Sequence, residues 1–222
     1  MEHKSPELEI AIKAALQAGK ILEKYFETEI LKEFKEDKSI VTAADKESEA
    51  VIKKIIGKAF PDHSILGEET CLSKSTSGYT WHIDPVDGTR NFANAIPLFA
   101  VSIALIYKKH VIVGVVYNPA SKSLFYAEKG KGAYLNNKLM HVSKSDQKKC
   151  IVTVASGRNS EYLKVRRNLL HDLPDNVVSS VRDFGCTALE LAFVAGGSTE
   201  ADIKLGFKTY DAASGILLVR EA

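Results

Sequence analysis

The stretch best suited to chemistry runs Trp81-His82-Ile83-Asp84-Pro85-Val86-Asp87-Gly88-Thr89-Arg90-Asn91-Phe92, where two carboxylates bracket a Pro-Val step and lead into a glycine-threonine turn. The apolar Trp81 and Ile83 precede Asp84, so this acid sits where a buried strand leaves its sheet, the usual place for ligands in α/β proteins. Pro85 biases Asp84 away from helix and stiffens the exit. Gly88 permits a tight turn or a close backbone approach to a ligand, and Thr89 can cap a short helix whose first N–H groups point outward. Carboxylates for a hard cation thus stand beside amides suited to an anion.

Other acids occupy comparable positions. Glu68 follows the short apolar run 64–67, Asp211 opens a C-terminal helix, and Asp45 heads a helix after Val41-Thr42. Glu68, Asp84, Asp87 and Asp211 therefore all lie at strand ends or helix starts, from which side chains can converge. A carboxylate cluster without His or Cys selects Mg²⁺ or Mn²⁺ over zinc. Four acids cannot share one site unneutralised, because like charges at close range raise one another's pKa. Metal ions meet that need, and a phosphate dianion completes the balance. Two ions about 3.5–4 Å apart would clamp the attacking water and the leaving oxygen of an in-line phosphoryl transfer. The reaction class is metal-assisted hydrolysis of a phosphate ester.

Taken singly, several of these pieces have plainer readings. Glu68-Glu69 fits a solvated strand edge, Asp45 fits a helix-start residue, and His63, His82 and His141 fit packing or surface roles. Gly130-Lys131-Gly132 lacks the phosphate-loop pattern and fits a turn. Asp-Pro-x-Asp-Gly-Thr demands several residue types at fixed offsets, and it carries the functional reading.

The elements that must position these residues follow from periodicity. Apolar residues from Pro6 to about Thr28 recur at a helical period, with Ser5-Pro6 as N-cap and first turn. Residues 32–39 are charged and predict a mobile loop, ordering when substrate and a further Mg²⁺ bind beside Asp45. Asp45 then heads a second amphipathic helix to Phe60. Short strands are predicted at 64–67 and 79–84, a hairpin at 99–107 and 111–117, a strand at 123–128, and turns at 130–132 and 136–137. After Cys150 the elements alternate: strand 151–155, helix 159–170, strand 177–181, helix 186–195, strand 201–205, and a last helix from Tyr210-Asp211. The chain thus divides into an α+β half, 1–144, holding the metal and phosphate motifs, and an α/β half, 145–222.

At 222 residues, with 30 basic and 28 acidic side chains well mixed to a net +2, the chain suits one large or two small domains and shows no basic block. Nucleic acid is therefore not expected as the main partner. Cys71, Cys150 and Cys186 are odd in number and form no CxxC, which fits a reducing compartment and no structural zinc. With no apolar leader and no long apolar span, a cytoplasmic protein without a membrane partner is expected.

The motifs Val41-Thr42-Ala43-Ala44-Asp45, Gly67-Glu68-Glu69, Asp84 to Phe92, and Tyr210-Asp211-Ala212-Ala213-Ser214-Gly215 resemble those of the inositol monophosphatase family, lithium-sensitive, magnesium-dependent phosphatases that include fructose-1,6-bisphosphatases. They occur in the family's order and span nearly the whole chain. The resemblance implies a layered α/β/α/β/α sandwich of the α+β class, usually a homodimer. It implies that Glu68, Asp84, Asp87, Asp211 and the Val86 carbonyl ligate two or three Mg²⁺, with Mn²⁺ able to substitute. Glu68 and Thr89, helped by Asp45, would activate the water. The Gly88 and Thr89 amides would hold the phosphate, and Gly185, Cys186 and Thr187 would meet sugar or inositol hydroxyls. Inositol-1-phosphate and fructose-1,6-bisphosphate lead as substrates. A 3′-phosphoadenosine-5′-phosphate or histidinol-phosphate phosphatase, and a non-catalytic regulator on the same fold, are the alternatives.

Three departures from the family pattern matter. Tyr210 stands where the family has tryptophan. Lys204 stands where animal inositol phosphatases have glutamate, so Lys204 or Lys208 either meets a second phosphate, as in archaeal-type dual phosphatases, or is a solvated lysine. Finally, Leu218 to Ala222 resembles a stretch after which homologues continue. Truncation, or a compensating contact, is expected there, since Leu218 and Val219 would otherwise be exposed.

Overall fold

The computed structural model describes residues 4–26, 33–34, 40–70, 76–144, 150–157, 159–173 and 178–222. Helix α1 is Pro6–Phe26. The Ser5 hydroxyl accepts the Leu8 N–H at 3.2 Å and the Ser5 carbonyl accepts the Glu9 N–H at 3.0 Å, the start expected from Ser5-Pro6. Two short strands, β1 (Glu33–Phe34) and β2 (Ile40–Val41), pair antiparallel. Residues 33 and 34 of the loop expected over 32–39 thus pair as a short strand. The remainder of that loop lies outside the described residues, as does Cys71. Helix α2 (Ala43–Ala59) leads to β3 (Ser64–Gly67), β4 (Tyr79–Asp87) and the one-turn α3 (Thr89–Phe92). Then come β5 (Ala100–Tyr107), β6 (His110–Asn118), β7 (Ser123–Glu128), β8 (Ala133–Leu135) and β9 (Lys138–Leu139). The last part holds β10 (Cys150–Ser156), α4 (Ser160–Asp172), β11 (Val178–Arg182), α5 (Thr187–Ala195), β12 (Ala201–Leu205) and α6 (Thr209–Glu221).

Strands β3 to β9 form one sheet in sequence order, parallel only between β3 and β4. Its two faces are both covered, so its central strands are apolar almost throughout rather than alternating. Val101, Ile103 and Leu105 of β5 join Leu22, Ile52 and Ile56 from α1 and α2 in one core. Ala100 and Val116 join Leu189, Ala192, Leu217 and Leu218 from α5 and α6 in the other. The α6 helix lies directly on β6, where a Cβ on Gly114 would stand 2.7 Å from the Ser214 carbonyl. A second sheet, β11-β10-β12, is wholly parallel, with α4 packed on β10 and α5 on β12. The layering is α/β/α/β/α, an α+β sandwich.

One irregularity decides the site. In the β4–β5 pairing Asp84 faces Ser102, but Asp87 faces Ala100, so β4 spends three steps where β5 spends two. Residues three apart on a regular strand point to opposite faces. The bulge at Pro85-Val86 brings Asp84 and Asp87 to the same face, the one that meets α6, where the Ser102 and Ser214 hydroxyls lie 2.7 Å apart. Proline is tolerated there because a bulge interrupts the hydrogen-bond ladder.

At the far end of α6 the structure shows a compensating contact, one of the two outcomes expected there. Leu218 is fully buried and Val219 half-buried against the large sheet. The Gly130 and Gly132 N–H groups donate to Glu221 Oε2 at 2.9 and 3.2 Å. The contacts that cover these residues come from the sheet already present.

Candidate active site

Four carboxyl groups meet where β3, β4, α5 and α6 converge. Glu68 follows β3, and its N–H donates to the Ile83 carbonyl at 3.0 Å, which ties it beside β4. Its carboxyl shares a hydrogen bond with Asp84, a residue only 3% exposed. Burial raises the Asp84 pKa well above the ordinary carboxylate range, and the charges of Glu68, Asp87 and Asp211 add to the effect. Asp84 Oδ1 also accepts the Val86 N–H at 3.0 Å, folding the bulge around the acid.

Asp87 is supported from the far side of the sandwich. Its Oδ2 accepts the Ala188 N–H at 2.5 Å, at the start of α5, and the Cys186 thiol at 3.2 Å. Burial pushes the Asp87 carboxyl up, while the Ala188 amide, the Cys186 thiol and the charge of Lys204 pull it back. Asp211, in the first turn of α6, accepts the Lys208 N–H at 2.7 Å and is raised to about 7, chiefly by burial and then by Asp87 and Glu68. Asp45 is fully buried in α2. Its Oδ2 accepts both the N–H and the hydroxyl of Thr42, at 2.8 and 2.5 Å, while Oδ1 has no partner. Burial raises Asp45 to about 6, with Glu69 and Glu68 contributing. Thr42 is therefore the helix cap and Asp45 the third helical residue, rather than the head of the helix.

The turn after Asp87 is equally constrained. Gly88 has φ 85°, ψ 32°, in the left-handed region, and a Cβ there would stand 2.8 Å from the Leu98 carbonyl. Gly88 thus occupies the cap position expected of Thr89, and Thr89 is the first helical residue, its hydroxyl donating to the Val86 carbonyl at 2.9 Å. Asn91 Nδ2 donates to the carbonyls of Leu98 and Phe184, at 2.7 and 2.6 Å, joining the turn to the segment before α5.

The substrate-side candidates are distributed unevenly. Gly185 is exposed, Thr187 half-buried, and Cys186 1% exposed with its thiol turned to Asp87. Burial and the Asp87 charge push that thiol's pKa well up, so it stays a donor. Lys204 is paired with the fully buried Glu190, with Asp202 3.9 Å away, whereas Lys208 is exposed. Two supporting acids escaped the sequence reading. Glu190 also accepts the Phe184 N–H at 2.6 Å, and Glu49 accepts the Glu69 N–H at 2.9 Å. Each is a Glu within a helix, a pattern that carries no signal of burial in the sequence.

The donor chemistry suits a hard divalent cation. Several carboxyl groups are buried together and raise one another's pKa, with the charges of Lys204 and Lys208 as partial offsets, and a buried Asp45 oxygen lacks a partner. Among the described residues no three His, Cys, Asp or Glu side chains already stand at ligating distance from one point. The fit is one of donor type and charge. No helix among them is long and apolar enough to cross a membrane.

The model of the inositol monophosphatase family matches residues 3–222. A fructose-1,6-bisphosphatase/inositol-1-monophosphatase of Aquifex aeolicus is 37% identical over all of this chain and 85% of the relative. The Nus factor SuhB of Escherichia coli is 38% identical over 98% of this chain and 83% of its own. The crystal structure of extragenic suppressor protein suhB from Bartonella henselae superposes with a TM-score of 0.91, at 33% identity over 98% of this chain and 85% of that one.

Proposed function

Because the chain belongs to the inositol monophosphatase family and is thereby a phosphatase of sugar-phosphate type, we propose that it hydrolyses small sugar or cyclitol monophosphates with Mg²⁺. The observation that supports this reading best is the β4 bulge, which turns Asp84 and Asp87 to one face beside the left-handed Gly88. In this reading Glu68, Asp84, Asp87, Asp211 and the Val86 carbonyl hold two or three Mg²⁺, and Mn²⁺ substitutes. When bound, the metal supplies Lewis-acid polarisation of the phosphate and lowers the pKa of water. Glu68 and the Thr89 hydroxyl orient the water, with Asp45 as a further acceptor. The Gly88 and Thr89 amides hold phosphate oxygens, and their fixed dipoles offset charge developing at phosphorus. With the Cys186 thiol engaged by Asp87, a polyol meets the exposed backbone of Gly185 and the Thr187 hydroxyl.

The charge pattern favours a single phosphate. Removing Lys204 from a fully buried Glu190 would strand that carboxylate, a loss of about 3–5 kcal/mol for pairs of this kind. A bisphosphate is left with the exposed Lys208. Inositol-1-phosphate is accordingly the leading substrate and fructose-1,6-bisphosphate the second.

Phosphate release is to be measured with Mg²⁺ on these two, on 3′-phosphoadenosine-5′-phosphate and on histidinol phosphate, with lithium inhibition and sedimentation for a homodimer alongside. Asp87→Asn is expected to lower turnover at least a hundredfold, and comparable turnover by wild type and variant would remove the metal role. The relatives named Nus factor SuhB motivate a second reading, a binding or regulatory protein on the same fold. Calorimetry separates the two: absence of Mg²⁺ binding with a substrate analogue present favours regulation.

A further inference from the structure

We propose that Glu49 is a positioning residue that sets the Glu68 carboxylate, an inference that rests on the catalytic reading of Glu68 above. Glu49 stands one turn beyond Asp45 on the inward face of α2 and is 1% exposed. A buried carboxylate on a helix needs partners, and the partners of Glu49 come from the loop after β3. One oxygen accepts the Glu69 N–H at 2.9 Å, and the other accepts the Thr70 hydroxyl in a very short hydrogen bond. Lys53, the next turn along, donates to the same Thr70 hydroxyl at 2.6 Å and lies 4.0 Å from Glu49. Gly67 admits the carboxylate, since a Cβ there would collide with the Glu49 carboxyl group.

The consequence falls on Glu68. On its N-terminal side its own N–H is tied to Ile83, and on its C-terminal side the next amide is tied to Glu49. The peptide groups flanking Glu68 are thereby fixed to β4 and to α2. On the α2 side of the loop lies an open cleft of about 500 Å³, lined by Lys46, Glu49, Ala50, Lys53, Glu69 and Thr70. Hydrogen bonds to a charged acceptor are stronger than neutral ones, so a carboxylate holds the loop where an amide would hold it less firmly.

The test uses the full chain, with Glu49→Gln as the near-isosteric change and Thr70→Val as an independent cut of the same clamp. Glu49→Gln is expected to lower kcat about tenfold with KM within twofold, and Thr70→Val to lower it severalfold. The double variant Glu49→Gln/Glu68→Gln is expected to be no slower than Glu68→Gln alone, because Glu49 acts through Glu68. Hydrogen exchange at the Glu69 amide is expected to speed up about tenfold in Glu49→Gln, a readout that needs no turnover. Unchanged exchange together with unchanged kcat, or losses that multiply in the double variant, would overturn the proposal. A wild-type chain that releases no phosphate, while Glu69 exchange still responds to Glu49→Gln, would sink the catalytic reading and leave only a structural clamp.

Discussion

Burial sets the electrostatic character of the individual acids, and Asp202, on which Asp183 and Asp87 also act, allows that to be measured at a residue outside the metal-ligand candidates. Its carboxyl is raised to about 6, chiefly by burial, while the Thr153 hydroxyl donates to it at 2.6 Å. A folded-state pKa above the unfolded value means that folding is favoured while Asp202 is protonated. That contribution is present below about pH 4 and is lost as pH rises through about 6. Asp202→Asn keeps an acceptor for Thr153 and removes the charge. It is expected to raise the melting midpoint at pH 7.5 by roughly 2–4 °C, equivalent to about 1 kcal/mol in a chain of this size, and by less at pH 4. An equal rise at both pH values would show that charge is not the cause. The convergence of Glu68, Asp84, Asp87 and Asp211 was legible in the sequence because acids at strand ends and helix starts are rare in combination. Glu49 and Glu190 were not, because a lone Glu in a helix looks solvated until the fold buries it.

At the scale of elements, the decisive features are a bulge and a left-handed turn. Gly88→Ala forces a Cβ toward the Leu98 carbonyl in a conformation that costs about 1–2 kcal/mol for any L-residue. It is expected to lower stability by at least that amount in urea denaturation and to cut turnover tenfold or more, since the turn carries both the Asp87 and Thr89 positions. Full activity in that variant would separate the turn from the site. Most element types followed from apolar period and turn residues, including the hairpin through Lys108 and Lys109, both of which adopt positive φ. The run of β4 through Pro85 to Asp87 did not, because proline argues against a strand and only pairing with β5 reveals the bulge. Likewise Thr42 rather than Asp45 caps α2: both residue types suit a cap, and only the backbone angles separate the roles.

For the whole molecule, α5 and α6 are the shared layer between the two sheets, and α6 carries Asp211 into the site from its first turn. Leu218 is fully buried in the core beneath the large sheet. Leu218→Ala is expected to destabilise the fold by about 2–5 kcal/mol, read as a lower denaturation midpoint, because the packed surroundings relax only partly around the cavity. A loss below about 1 kcal/mol would mean that this end of α6 is loosely held. The sequence by itself pointed to a phosphatase through its acid spacing, and to the layered architecture through the resemblance of its ordered motifs to a known family, because spacing and motif order are local properties of a chain. Tertiary structure alone decided that Asp84 and Asp87 share a face, that the Cys186 thiol serves Asp87, and that Lys204 is bound to Glu190. Those outcomes depend on register and on which distant groups share a buried volume, where the cost of an unpaired charge selects the partners.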